Sequence, residues 1–437
     1  MAITRRQFVT RLSALAAAAG LGQSDLSQVT QAFAHWNAAD ASGLVKPKVI
    51  WVHGAECTGC STSALGLLED YRAEAVPGTG ISTAAALTAI AVNASMADPD
   101  TTLTGGVLDD PHGHRTLDKY GLALDGTTSV TIADVLIDFI DLKYHETIMG
   151  MGGDLAAKYL WNEYNNDGTD FILVVEGAVQ PSDQGGYWGE DGSVPWCSIA
   201  ATDTGHELAF DEVVETLATR SECLATLALG QCATYGGYPG CVGSGLVKQS
   251  DSDSMSQTGA LGVYDFLKDV VGGGYEKVVN VPGCPVNPWW FVLTVVLFLH
   301  DLATSSGGAL IGTDTSGRLS NVYSHQLHGR YCPWYADYAL RDFAAFPGDD
   351  GCMKEIGCKG LYTMTTCGIH GWNGMQGTNA KLTLAGNAAA DLSLNEAFCG
   401  ETPAGEKTSG NCLKAGSPCM GCTEKGYPDR FVPFVIR

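Results

Sequence analysis

Four short runs of mostly consecutive apolar residues stand out in the first two thirds of the chain: residues 48–54, 171–179, 224–231 and 277–282. The first reads Lys48-Val49-Ile50-Trp51-Val52-His53-Gly54. Runs of this length without polar alternation are what strands look like when both faces are covered, as in a parallel sheet. Between them lie stretches of helical periodicity, Ile132 to Leu142, Asp154 to Asn162 and Ala209 to Ala218. Alternation of the two patterns predicts an α/β architecture, a doubly wound parallel sheet. Such sheets collect ligands outside the carboxyl ends of their strands, where the strand order reverses. After residue 305 the strand signals fade, and Gly, Pro, Cys and aromatic residues crowd the chain as far as Arg437. A segment so poor in regular structure needs cross-links to organise it.

Composition agrees with a globular protein of two or three domains: 45% of the 437 residues are hydrophobic and 17% charged. The net charge of -23 argues against nucleic acid, whose binding rests on Lys and Arg neutralising phosphates. It leaves either a solvated acidic surface or a docking face for a basic redox partner such as a cytochrome. The longest apolar run, Trp289 to Leu299, is too short to span a bilayer, so no membrane span is expected. The N-terminus has the form of a twin-arginine export signal. Thr4-Arg5-Arg6-Gln7-Phe8-Val9 precedes a weakly apolar stretch, Leu12 to Leu21, and a small-x-small site at Ala32-Phe33-Ala34. Cleavage is expected after Ala34, making residues 1–34 a signal peptide and the mature chain periplasmic or otherwise exported.

Cysteine changes the picture most. Of 15 cysteines, Cys57 and Cys60 follow the first apolar run, Cys352, Cys358 and Cys367 form a late series, and Cys412, Cys419 and Cys422 lie near the end. Such spacings in a Gly-rich frame let several thiolates converge on one iron-sulfur centre. The rival is a disulfide framework, which export permits. Disulfide-dense domains are usually small, whereas this chain is long enough to build ordinary cores. The strand pattern also delivers Cys57 and Cys60, Cys232 and Cys284 to three strand ends on one sheet edge. Other chemistries find little support. Gly150-Met151-Gly152-Gly153 lacks the third glycine of a dinucleotide loop, Leu155 standing in its place, and no Gly-Lys pair exists for a phosphate loop.

Several motifs, in order and spacing, carry a specific likeness: Glu56-Cys57-Thr58-Gly59-Cys60-Ser61, Tyr144-His145-Glu146-Thr147, Val175-Glu176-Gly177, Pro282-Gly283-Cys284-Pro285, Gly357-Cys358-Lys359-Gly360 and Pro418-Cys419-Met420-Gly421-Cys422. Over nearly the whole mature chain this resembles the small subunit of nickel-iron hydrogenases. The resemblance implies a flavodoxin-like domain, here residues 35–304, and a C-terminal iron-sulfur domain, residues 305–437. A proximal 4Fe-4S cluster is implied at Cys57, Cys60, Cys232 and Cys284. A distal, His-ligated 4Fe-4S cluster is implied at Cys332, Cys352 and Cys358, with His328 as fourth ligand and His325 its competitor. Here the chain departs from the family: His328 stands one residue further from Cys332 than usual, and Tyr-Cys-Pro-Trp replaces basic residues. The medial cluster matches Cys367, Cys419 and Cys422. Many relatives have proline at the fourth position and a 3Fe-4S centre, whereas this chain offers Cys412, so a medial 4Fe-4S cluster is expected, reverting to 3Fe-4S if Cys412 is a bystander.

Cys197, Cys223, Cys241 and Cys399 have no assigned cluster. The extra proximal cysteines of oxygen-tolerant relatives are matched by Gly59 and Gly237, so that modified cluster is not expected. Residues 71–129 form an apparent inserted lobe, and its His112 and His114 read as part of a solvated loop. Both Cys-x-x-Cys pairs are used by clusters, so no nickel site and no catalytic residue falls in this chain. The resemblance implies an obligate nickel-iron large subunit, with this chain as the non-nickel half of a hydrogenase. Electrons would pass to an external redox acceptor during hydrogen oxidation. Glu56 is either a proton-handling residue at that interface or a salt-bridge partner. Two alternatives remain: a stand-alone multi-cluster electron carrier, and a secreted disulfide protein free of iron.

Overall fold

The computed structural model describes residues 48–71, 140–166, 168–181, 187–188, 194–201, 205, 207–241, 259–288, 290–291, 294–295, 298, 312–323, 326–328, 332, 334–365, 367, 412–413 and 416–428. The export signal, His325, Cys399 and the inserted lobe beyond Tyr71 lie outside the described residues. Strand β1 (Lys48–His53) leads into helix α1 (Gly59–Tyr71); β2 (Asp141–His145) precedes α2 (Gly153–Asn166), and β3 (Phe171–Glu176) follows. Two small antiparallel pairs come next, β4 (Tyr187–Trp188) with β5 (Val194–Pro195), then β6 (Ser198–Ala201) with β7 (Glu207–Ala209). Helix α3 (Phe210–Thr219), β8 (Cys223–Leu229), α4 (Gly230–Tyr235) and β9 (Val278–Val281) complete the sheet layer.

The main sheet has five strands in the order β2-β1-β3-β8-β9, all paired in parallel. Taken in chain order this is 2-1-3-4-5, the flavodoxin-like arrangement, with its switch point between β1 and β3. Every residue of β1 and β3 is buried, as expected for strands covered on both faces. Helix α3 shows why it packs where it does. Phe210, Val213, Val214, Leu217 and Ala218 recur at helical spacing, are all buried, and join the core with Ile50, Val52, Leu173 and Val175. Asp211 and Glu212 sit in its first turn, where the helix dipole favours negative charge.

One expectation is corrected. Asp141 and Leu142, read as the end of a helical pattern, begin edge strand β2. The strand is only five residues long and carries Asp141 and Lys143, which form an ion pair at 2.7 Å. Charges of this kind suit a sheet edge and erase the continuous apolar signal of a central strand. Beyond β9 regular structure is sparse among the described residues: short helices α5 (Ser320–Tyr323) and α6 (Tyr335–Leu340), and a 3-10 turn at Met353–Ile356. Arg318 ties this region together, its guanidinium bonding Asp314, Thr423 and Glu424.

Candidate metal centres

The parallel register brings the chemistry to one edge. His53 at the end of β1 pairs with Glu176 at the end of β3, and Glu176 with Leu229 at the end of β8. Cys57 and Cys60 lie just past β1, Cys232 just past β8 in α4, and Cys284 just past β9. With β2 counted, these are the first, fourth and fifth strands of the sheet.

Glu176 braces the first cysteine loop. Its Oε1 accepts the backbone N–H groups of Cys60 (3.1 Å) and Ser61 (3.0 Å); its Oε2 accepts the Ser61 hydroxyl (2.6 Å) and Trp51 Nε1–H (3.2 Å). Four donors fill the carboxylate's acceptor positions. His53, Glu56 and Glu176 offer ligand atoms within 4.8 Å of one another, but this saturation makes the trio a hydrogen-bonded brace rather than an ion site. The loop itself is tightly bent: Thr58, a β-branched residue, has φ of 60°.

The sulfur atoms occupy a cradle built from missing side chains. A Cβ on Gly230 would meet Cys60 Sγ at 2.3 Å, one on Gly237 would meet Cys232 Sγ at 2.8 Å, and one on Gly59 would meet Cys57 Sγ at 3.0 Å. Gly230 and Gly237 also hold positive φ, of 84° and 50°. Backbone N–H groups reach the sulfurs, Val286 donating to Cys60 at 3.3 Å. Burial, Glu176 and the neighbouring cysteines raise the Cys60 pKa well above the usual range. Burial and then Cys284 push Cys232 up to about 12. A positive centre nearby would favour the thiolate form of such buried thiols.

Two further cysteine groups lie in the C-terminal region. Cys367, Cys412, Cys419 and Cys422 line a cavity of about 50 Å³, and Cys284 of the first group lines it too. Burial and mutual repulsion raise Cys367 and Cys422 well above the ordinary thiol range. Cys412 keeps exposed surface while also lining the cavity. A smaller cavity of about 10 Å³ is lined by His328, Cys332, Cys352 and Cys358. There the His328 Nε2 is buried with no hydrogen-bond partner, and the Tyr338 ring packs edge-on at 4.4 Å. Burial lowers the His328 pKa, keeping the imidazole neutral, the form that binds metal. An orphaned imidazole nitrogen among three thiols fits an iron-sulfur centre, as do the two all-cysteine groups.

The structure thus brings together all twelve residues singled out from the sequence, in three groups of four. All fourteen described cysteines are free of disulfides. Cys223 is buried in β8 and Cys197 packs against the core, while Cys241 lies on the turn after α4. Sequence reasoning did not give Glu176 its bracing role or single out Arg318, Tyr238 and Tyr427.

Residues 122–298 match the family described as NADH ubiquinone oxidoreductase, 20 Kd subunit, and residues 323–387 match the C-terminal family of the NiFe/NiFeSe hydrogenase small subunit. The chain is 26% identical to the periplasmic [NiFeSe] hydrogenase small subunit of Desulfomicrobium baculatum, over 100% of this chain and 99% of that protein. Over nearly its whole length the chain thus resembles small subunits of nickel-iron and nickel-iron-selenium hydrogenases. It is also 25% identical to the periplasmic [NiFe] hydrogenase small subunit 1 of Nitratidesulfovibrio vulgaris, over 99% of this chain and 93% of that one. The fold agrees. A solved structure of the Dm. baculatum [NiFeSe] hydrogenase superposes with a TM-score of 0.57 at 25% identity, covering 90% of this chain and 99% of its own. No helix among the described residues is long and apolar enough to cross a membrane.

Proposed function

We propose that this chain is the electron-transfer subunit of an exported nickel-iron hydrogenase, carrying three iron-sulfur clusters between the nickel-iron centre of a large subunit and an external acceptor. Cys57, Cys60, Cys232 and Cys284 hold the proximal 4Fe-4S cluster; Cys367, Cys412, Cys419 and Cys422 hold a medial 4Fe-4S cluster; His328, Cys332, Cys352 and Cys358 hold the distal one. Bound clusters supply one-electron redox chemistry; the chain's own work is to hold, space and insulate them. Residues 35–304 form the proximal domain and residues 305–437 the medial and distal domain, with the twin-arginine signal removed after Ala34.

The observation that carries this reading is the continuity of the three groups. Cys284 belongs to the first and lines the cavity of the second, while the Cys419 backbone N–H donates to Cys358 of the third at 3.3 Å. Three separate metal sites would need no such contacts; a relay does. Cys57 is exposed at the far end, where a large subunit would cover it across an obligate interface. Hydrogen oxidation is the expected direction, because export places the complex among external acceptors.

Metal content of the natively purified complex tests the proposal. About 12 irons in this chain, with one nickel and one further iron in its partner, are expected. Iron without nickel would reduce the chain to an electron carrier, and absence of both metals would overturn the reading.

A further inference from the structure

Tyr238 and Tyr427 are 189 residues apart, yet the Tyr427 hydroxyl donates to Tyr238 Oη at 3.0 Å, with the rings edge-on at 5.5 Å. Tyr427 is buried and lines the central cavity together with Cys284, and its hydroxyl also reaches the Cys284 sulfur. Tyr238 is half exposed, and its backbone N–H donates to Cys232. Tyr238 therefore touches Cys232 through its backbone and is linked to Cys284 through the Tyr427 phenol. Gly237 makes this possible, since its φ of 50° turns the chain at a point where a Cβ would lie 2.8 Å from Cys232 Sγ.

A phenol has one proton and rotates to use it. Once Cys284 is a thiolate, the better acceptor is the sulfur, so Tyr427 turns its proton to Cys284 and Tyr238 donates to Tyr427 in its place. Hydrogen bonds to cluster sulfurs are among the factors that set reduction potential. A donor stabilises the reduced, more negative state over the oxidised one and so raises the potential, and a second phenol behind the first strengthens the donor.

We propose that Tyr238 and Tyr427 form a phenol pair that hydrogen-bonds the Cys284 sulfur and raises the reduction potential of the proximal cluster. They are positioning residues for electron transfer, and the inference rests on Cys284 being a proximal ligand.

The test is a redox titration of the intact heterodimer followed by electron paramagnetic resonance, with hyperfine spectra recorded after exchange into deuterium oxide. Tyr427→Phe should lower the proximal potential and remove one exchangeable deuteron coupling. Tyr238→Phe should shift the potential the same way by less and keep that coupling. An unchanged potential and coupling in Tyr427→Phe at normal iron content would overturn the proposal, as would a shift confined to the medial cluster. If Tyr427→Phe does not assemble, Tyr238→Phe decides alone, and no shift there overturns it. Cys284→Ser separates the two levels: an unaltered proximal signal in that variant means Cys284 is not a ligand, and the ligand assignment fails first.

Discussion

The Cys419 backbone N–H lies 3.3 Å from Cys358 Sγ and donates to it, joining the medial cysteine group to the distal one through a single hydrogen bond. Gly360 adds a second, longer donor to the same sulfur at 3.5 Å. Lys359 N–H returns to the Cys419 carbonyl at 2.8 Å, so residues 358–360 and Cys419 are laced together in both directions. Under the proposed ligand sets, so short a backbone connection would fix the separation of the two centres, as rapid electron exchange between them requires.

The distal fourth ligand can be tested by exchanging one donor for another. The buried Nε2 of His328 has no hydrogen-bond partner, and His328 lines one cavity with Cys332, Cys352 and Cys358. His328→Ala should abolish or alter the distal spectrum. His328→Cys should retain a four-iron centre at lower potential, because a thiolate makes the cluster more negative than a neutral imidazole does. An unchanged distal spectrum in the alanine variant would exclude His328.

Cys412 is the residue at which the type of the proposed medial cluster is tested. It lines the same cavity as Cys367, Cys419 and Cys422. The wild-type oxidised protein should lack a strong 3Fe-4S signal, and Cys412→Ala should acquire one, at a cost of roughly one iron per chain. A strong three-iron signal in the undamaged wild type would show Cys412 to be a bystander.

The central strands, and the gathering of Cys57, Cys60, Cys232 and Cys284 at one sheet edge, were legible because their signals are local. Strands β1, β3, β8 and β9 are mostly apolar runs without polar alternation, and a cysteine after a strand in a parallel sheet has few places to go. Edge strand β2 was not legible, since Asp141 and Lys143 give it the look of a surface segment. The role of Glu176 was hidden for another reason. A carboxylate that orients backbone N–H groups 115 residues away leaves no trace in spacing. Tyr238 with Tyr427, and Arg318 with Glu424, are likewise tertiary pairs between segments that share no periodicity. Assigning the distal and medial groups needed the family resemblance, because loop-rich segments held by metal carry ligands without a repeating pattern.

Acid should loosen the proximal edge through His145. Its Nδ1 accepts the Thr147 N–H at 3.2 Å and its Nε2 lies 3.2 Å from the Ser61 hydroxyl, so the ring is neutral and wedged behind the cysteine loop. Burial, then the neighbouring His53, lower its pKa to about 3. Between the unfolded value near 6.5 and that folded value, the unfolded chain binds the extra proton. Stability is therefore fully present above about pH 6.5 and falls as the pH drops through the window, by at most about 1.4 kcal/mol per pH unit. The denaturant midpoint for loss of cluster absorbance should fall less between pH 7 and 5 in His145→Gln than in wild type. Equal losses would mean that other groups carry the acid sensitivity.

Arg318 should prove more important to the medial cluster than its distance along the chain implies. Its guanidinium is buried and donates to Asp314 Oδ2 at 2.8 Å, Glu424 Oε2 at 3.0 Å and the Thr423 carbonyl at 2.9 Å. Thr423 and Glu424 directly follow Cys422, so the bridge anchors the loop that carries Cys419 and Cys422, two of the proposed medial ligands. Arg318→Met strands the buried Glu424 carboxylate, a loss on the order of 3–5 kcal/mol for breaking one side of a buried pair. Arg318→Lys should recover only part of it, because a compact ammonium cannot serve three acceptors in the geometry of a planar fork. Adding Glu424→Gln to Arg318→Met should restore stability, since the orphaned charge is then gone. Thermal bleaching of the clusters, with iron counted per chain, reads all three variants. If Arg318→Met kept its full iron and bleached at the wild-type temperature, the bridge would be incidental to the medial loop.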